Sequence, residues 1–208
     1  MKPLLNRARC SELAVAVIAC LVAAGCSSLI GPSNPPPQIY RLNPDMSLSP
    51  ARSAVAWQLS VARPDTSRAL DTDRIALLRG SAMDYYADAQ WNDSTPRLMQ
   101  SLLVQAFDRS GRVQAATSDS ALRADMILTT ELRDFDAQYD SGNAAPNVVI
   151  DVQVKMVDPN GKVIASTEFR QTARATQDSV SGVVGAFDRS MTAALAQIVD
   201  WALQATPH

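Results

Sequence analysis

Three cysteines, one histidine and a closely spaced pair of aspartates are the residues of this 208-residue chain whose types could carry covalent, metal or acid–base chemistry. Cys10 and Cys20 lie within the first 25 residues. Once that stretch is removed only Cys26 is left, and no disulfide can form within the rest of the chain. A lone cysteine that becomes a new N-terminus is suited to acylation of its thiol. With His208 at the frayed end as the only histidine, the ligand set of a metal site is missing, so no metal and no cofactor is expected. Asp84 and Asp88 could act as paired carboxylates, but nothing near them in the sequence supplies a partner or a pocket. No G-x-S-x-G elbow and no G-x-x-x-x-G-K-S/T loop occurs. The chain is expected not to be an enzyme.

The elements around Cys26 say what its chemistry is for. Lys2, Arg7 and Arg9 precede an apolar run of 12 residues, Leu13 to Ala24. A membrane-spanning helix needs about 20, so this run has the length of a signal-peptide core. Ala23-Ala24-Gly25-Cys26 resembles the bacterial lipobox, with Ala23 where leucine is usual. The resemblance implies that residues 1–25 are a lipoprotein signal peptide, cleaved between Gly25 and Cys26, with Cys26 acylated. A plain secretory cleavage site beside an incidental cysteine is the alternative. Ser27, rather than aspartate, implies delivery to the outer membrane under the sorting rule such lipoproteins follow. Residues 26–50 then form the lipidated N-terminus and a proline-rich tether. Its Gly31–Pro37 stretch favours extended polyproline geometry at roughly 3.1 Å per residue. Within it, Gln38 to Leu42 alternates enough for a short strand.

Residues 51–208 are expected to form one domain. The chain is 47% hydrophobic and 19% charged with a net charge of −2, which fits a globular fold and carries no basic excess for nucleic acid. Val55, Trp57, Leu59 and Val61 alternate as a half-buried strand does, and a second strand spans Arg74 to Arg79. Ser81 to Trp91 reads as a short extended segment or hairpin. Ser94 or Thr95, then Pro96, opens a helix that Gly111 closes, and Val113 to Ala115 follows as a short strand. Met126–Phe135, the strand with apolar face Val148 to Met156, and Val163–Thr172 form a meander. Asp158-Pro159-Asn160-Gly161 turns between its last two strands. A long helix from Ser179 to Ala205 carries Val184, Phe187, Met191, Leu195, Ile198 and Ala202 along one stripe. The fold class expected is α+β: an antiparallel or mixed sheet with two amphipathic helices packed on one side.

Leu70-Asp71-Thr72-Asp73-Arg74-Ile75, followed by Asp84-Tyr85-Tyr86-Ala87-Asp88-Ala89-Gln90-Trp91, resembles the signature of the ABC-type transport auxiliary lipoproteins, the PqiC-like family. Arg133-Asp134-Phe135-Asp136, the Asp158–Lys162 turn and a closing helix containing Trp201 continue the likeness. It covers Gln38 to Ala205 and rests on the order and spacing of these motifs behind a lipobox. The resemblance implies a non-enzymatic, outer-membrane-anchored periplasmic accessory of an ABC transporter that moves lipid between membranes. Its implied partner is the transporter's MCE-domain periplasmic protein. A structural envelope lipoprotein that assists assembly of an outer-membrane barrel or a secretion complex is the competing reading.

Tyr85, Tyr86 and Trp91 are the candidate interface, an aromatic patch for a partner or a lipid tail. Neighbours along a strand point to opposite faces, so one of the two tyrosines is expected in the core. Asp71, Asp73 and Arg74 read as a solvated turn with a surface ion pair. Long strands with open edges favour lateral pairing between copies. The Ser141–Asn147 loop is a candidate contact, and a ring-shaped homo-oligomer is the expected assembly.

Overall fold

In the computed structural model, which describes residues 36–47, 54–117, 124–140 and 145–205, nine strands and two helices follow one another along the chain. They are β1 (Gln38–Tyr40), β2 (Gln58–Val61), β3 (Asp65–Thr66), β4 (Arg74–Arg79), β5 (Ala82–Trp91), α1 (Thr95–Ser110), β6 (Gln114–Thr117), β7 (Met126–Tyr139), β8 (Asn147–Val157), β9 (Val163–Arg174) and α2 (Val180–Gln204). Gly25, Cys26, residues 141–144 of the candidate contact loop and His208 lie outside the described residues.

The longest strand organises the sheet. One edge of β7 receives three short strands in succession, all parallel to it: β2 at Met126–Leu128, β3 at Glu131–Leu132 and β4 at Ala137–Tyr139. Its other edge pairs with β8 in antiparallel fashion from Ile127 to Gln138, and β8 pairs in turn with β9. A bulge at Arg133 shifts the alternation, so that Leu132 and then Phe135 are both buried. The β8–β9 connection is the expected turn. The Asp158 carboxylate accepts from the amides of Asn160 (2.9 Å) and Lys162 (2.8 Å), and Gly161 takes the left-handed φ of 84° that a side chain would strain. Those amides, the one of Lys162 first, hold the Asp158 carboxyl below its usual range.

Both helices lie on one side of the mixed sheet and touch each other: α2 rests on β8 and β9, while α1 rests on β2 and β6. Pro96 occupies the first turn of α1, and Gly111 ends it at φ 63° with its amide donating to the Asp108 carbonyl. In α2 the Ser179 side chain caps the start by accepting from the Gly182 amide at 3.2 Å. Leu98, Met99, Leu103 and Phe107 of α1 meet Phe187, Met191, Leu195 and Ile198 of α2 in one core over the apolar rows of β7 and β8.

Several features differ from the sequence reading, β7 for one running on to Tyr139 where Phe135 was the expected end. The folded unit starts at Pro37, not at residue 51. β1 pairs with β5, and after it Leu42 and Met46 are buried in the core. The Asn43 amide donates to Asp188 Oδ1 at 2.7 Å and the Asp45 amide to Thr192 Oγ1 at 2.9 Å. The stretch 37–47 is therefore a strap across the helices and not tether, because its two apolar side chains find the core as soon as the proline run ends. Ser81–Trp91 is neither short nor a hairpin by itself. It supplies the ten-residue β5, which forms a hairpin with β4 through Gly80, at φ 60°. Val163, whose alternation with Ala165, Thr167 and Phe169 puts the four on one face, is 49% exposed, because the register slips between Met156 and Val157.

Candidate functional site

Of the three candidate interface aromatics, the fold keeps two near the surface and withdraws the third. Trp91 is 1% exposed. Its ring meets Phe135 edge-on at 6.1 Å and Phe187 at 5.1 Å, and those two rings lie 4.7 Å apart. It joins β5, β7 and α2 at the centre of the core, so it is corrected from interface to packing residue. The cause is local: Ala89 and Trp91 point inward together where β5 is flanked by β1.

Tyr85 and Tyr86 are both half-buried and both pack against the hydrophobic core, where strand alternation led us to expect at least one of them. Tyr85 faces Ala76 across the β4–β5 hairpin, but the next pair is Gln90 with Arg74, so Tyr86–Ala89 bulge out opposite Ile75 alone. Within the bulge Asp88 takes a left-handed φ of 53°, which aspartate tolerates better than most residues. The Tyr85 hydroxyl donates to the Ala69 carbonyl at 2.9 Å, and the Arg74 guanidinium sits 3.8 Å from its ring centre. Tyr86 shares a 2.8 Å hydrogen bond with the Tyr139 hydroxyl, which donates to Asp178 Oδ1 at 2.7 Å, and Arg79 lies 4.6 Å from the Tyr139 ring. Burial pushes both phenols up, helped at Tyr139 by the hydrogen bond to Asp178. Both therefore stay protonated, as a linked chain of donors between β5, β7 and the turn before α2.

The flanking acidic residues are structural. Asp84 Oδ1 accepts from the Tyr85 amide at 2.8 Å, so it is tied to its own strand rather than to Asp88. Asp71 pairs with Arg63 at 2.6 Å, both about half exposed, in an ion pair of the kind that contributes about 0–1 kcal/mol. The turn before β4 acts as a bracket. The Asp73 carbonyl accepts from the Trp91 amide, and the Thr72 carbonyl accepts from both the amide (2.9 Å) and the hydroxyl (3.1 Å) of Thr95. The D-x-x-R-I and Y-Y-x-x-x-x-W stretches are thus neighbours in space, with the start of α1 held between them.

A polar cluster on the helix-free face of the sheet was not singled out by sequence reasoning. Asp134 (β7), Asp151 (β8) and Arg170 (β9) stand opposite one another on three adjacent strands, and Arg170 reaches Asp134 at 2.8 Å and Asp151 at 2.6 Å. Asp136, two residues along β7, is 1% exposed, and its Oδ1 has no hydrogen-bond partner. Burial raises its carboxyl to about 6, with Asp134 adding to the rise while Gln138, Arg170 and the Phe135 amide oppose it. The sequence signal was charge at alternate positions, Asp134 and Asp136, within the Arg133–Asp136 stretch quoted above for the family resemblance. Among the described residues no group of three or more His, Cys, Asp or Glu side chains is arranged to hold a metal ion.

Comparison with known proteins bears on the whole chain. A family model described as the ABC-type transport auxiliary lipoprotein component matches residues 40–199. The solved structure of protein XCC0632 from Xanthomonas campestris superposes with a TM-score of 0.75 at 26% identity, covering 81% of this chain and 95% of that one. A second solved structure, of an uncharacterized protein, covers 81% of this chain and 99% of its own at a TM-score of 0.62; at 15% identity it attests the fold alone. The uncharacterized protein bll6063 of Bradyrhizobium diazoefficiens is 27% identical over 186 residues. That match takes in 88% of this chain but only 50% of the relative, so the chain spans about half the length of this curated relative.

Proposed function

The chain belongs to the ABC-type transport auxiliary lipoprotein family, and from that premise we propose that it is a non-enzymatic periplasmic accessory, anchored in the outer membrane through acylated Cys26. It serves an ABC-type system that moves phospholipid between the two membranes, and its direct partner is the system's MCE-domain periplasmic protein. One observation carries this reading: the family match runs from β1 to α2, starting only 14 residues after a cysteine placed to be lipidated. The docking surface we assign is the β5 bulge with Tyr85 and Tyr86, without Trp91.

The assembly we propose is a closed ring of copies. Among the described residues the strand partner of the twelve-residue β9 is β8, so its other edge is where we place the contact with a neighbouring copy. Light scattering on the detergent-solubilised native protein is expected to give a single discrete oligomer, and a monomer at all concentrations, with and without the MCE-domain protein, would remove the ring. Photo-crosslinkers placed at Tyr85 and Tyr86 test the partner in the native envelope. Adducts with an MCE-domain protein are the expected result; adducts confined to unrelated outer-membrane barrels would overturn the assignment.

A further inference from the structure

We propose that the groove between the Arg41–Met46 strap and the outward face of α1 binds the phosphate of a phospholipid headgroup. Arg97, Ser101, Gln105 and Arg109 recur every four residues on α1 and are all exposed, forming a polar stripe with a guanidinium at each end. The strap runs beside this stripe and leaves a cavity of about 260 Å³ lined by Arg41, Asn43, Asn92, Ser101, Gln105 and Arg109. A second hollow of about 180 Å³ shares Ser101 with it and extends to Arg97.

Charge and donor chemistry favour an anionic oxygen cluster. Neither Arg41 nor Arg109 forms an ion pair with a carboxylate among the described residues, and both are exposed. Each presents a planar fork of N–H donors that fits phosphate oxygens two at a time. The amides of Asn43, Asn92 and Gln105 and the Ser101 hydroxyl add neutral donors. Asp93, the one acidic side chain in the wall, already accepts from the Ser94 amide at 2.7 Å. At about 260 Å³ the cavity has room for roughly nine waters and is smaller than the ~300–1,000 Å³ of pockets that enclose drug-sized ligands. The occupant is therefore a headgroup and not a whole lipid.

Position identifies the source of that phosphate. The strap is fixed by buried Leu42 and Met46 and by the hydrogen bonds that the Asn43 and Asp45 amides donate to α2, so Arg41 is held where the fold begins. Twelve residues, Cys26 to Pro37, separate the expected anchor from the strap, an upper reach of roughly 35 Å at ~3.1 Å per residue. The source, though not the binding itself, rests on the anchored-lipoprotein reading above.

Calorimetric titration of the full native protein in a neutral maltoside detergent tests the proposal, with sn-glycero-3-phosphoglycerol as the headgroup probe and inorganic phosphate as the second arm. Saturable binding of the glycerophosphodiester is expected, weakened at least tenfold in Arg41→Gln and in Arg109→Gln. Arg133→Gln, whose guanidinium is already paired with Glu168, should leave it unchanged. Unaltered melting temperatures in all three variants would separate lost binding from lost folding. Tighter binding of inorganic phosphate than of the diester would overturn the headgroup assignment in favour of a free anion. No saturable binding of either probe, or equal binding in the variants, would remove the site. Loss of binding in a protein whose Cys26 is acylated counts against the groove alone, and binding by a protein with a bare Cys26 counts against the anchor alone.

Discussion

Trp91 and Asp136 show how much the setting of a single side chain decides. An aromatic in a Tyr-Tyr-rich strand looks from sequence like surface material for a partner, yet Trp91 closes a three-ring cluster with Phe135 and Phe187. Trp91→Ala should therefore lower the stability of the fold by about 3–5 kcal/mol in chemical denaturation. A loss below about 1 kcal/mol would place the ring outside the core. Asp136 is the opposite case, a charge-bearing group that the fold holds dry. Its folded-state value of about 6 lies above the ordinary 3.8, so the stability this shift contributes is complete below pH ~4 and is lost as pH rises through about 6. Asp136→Asn removes that loss. It should stabilise the protein above pH 6 by an amount on the order of 2 kcal/mol and leave stability near pH 4 unchanged, as melting curves across that range would reveal. Equal effects at both pH values would mean that ionisation at Asp136 is not involved. Charge at alternate positions marks Asp136 in the sequence but not its burial, which is set by packing within the fold.

Whole elements were easier to read than the joins between them. The apolar period of α2, the proline and glycine that bound α1 and the Asp158–Gly161 turn are short-range signals, and each appears where its residues placed it. What stayed hidden depends on partners: the two-residue β3, which exists only because β7 offers an edge, and the wide bulge in β5. The register slip that turns Val163 outward is of the same kind. Gly182 also belongs here. In sequence it loosens the start of α2, but in the fold it allows a close approach, since a Cβ there would meet the Gln177 carbonyl oxygen at 2.6 Å. Gly182→Ala should therefore destabilise by about 1–3 kcal/mol, although alanine is the better helix former. Gly185→Ala, where the nearest atom is the end of the Arg189 side chain at 3.7 Å, should be neutral or slightly stabilising. Thermal melts of the two variants compare them directly, and equal melting temperatures would show that the Gln177 carbonyl imposes no constraint.

At the scale of the molecule, a nine-stranded mixed sheet carries two helices on one face and exposes charged strands on the other, and among the described residues β8 is the strand partner of its last strand. The α+β class follows from the order of periodic segments, since a helix between two groups of short strands and a long closing helix have little choice but to share one side. The place where folding begins did not follow, because the strap after the prolines contributes only Leu42 and Met46 to the core, too few for a periodic signal. Family membership gives the fold a setting in ABC-type transport, and the groove at Arg41 and Arg109 is the place we propose for a phosphate. The anchored-lipoprotein reading rests on a lipid on the mature chain's first residue. Intact mass spectrometry of the protein purified from its native membranes measures that directly. The account requires a chain beginning at Cys26 that carries acyl groups, shifted to uncleaved precursor in Cys26→Ser. A mature chain with a free thiol at that position, or with its N-terminus elsewhere, would contradict it.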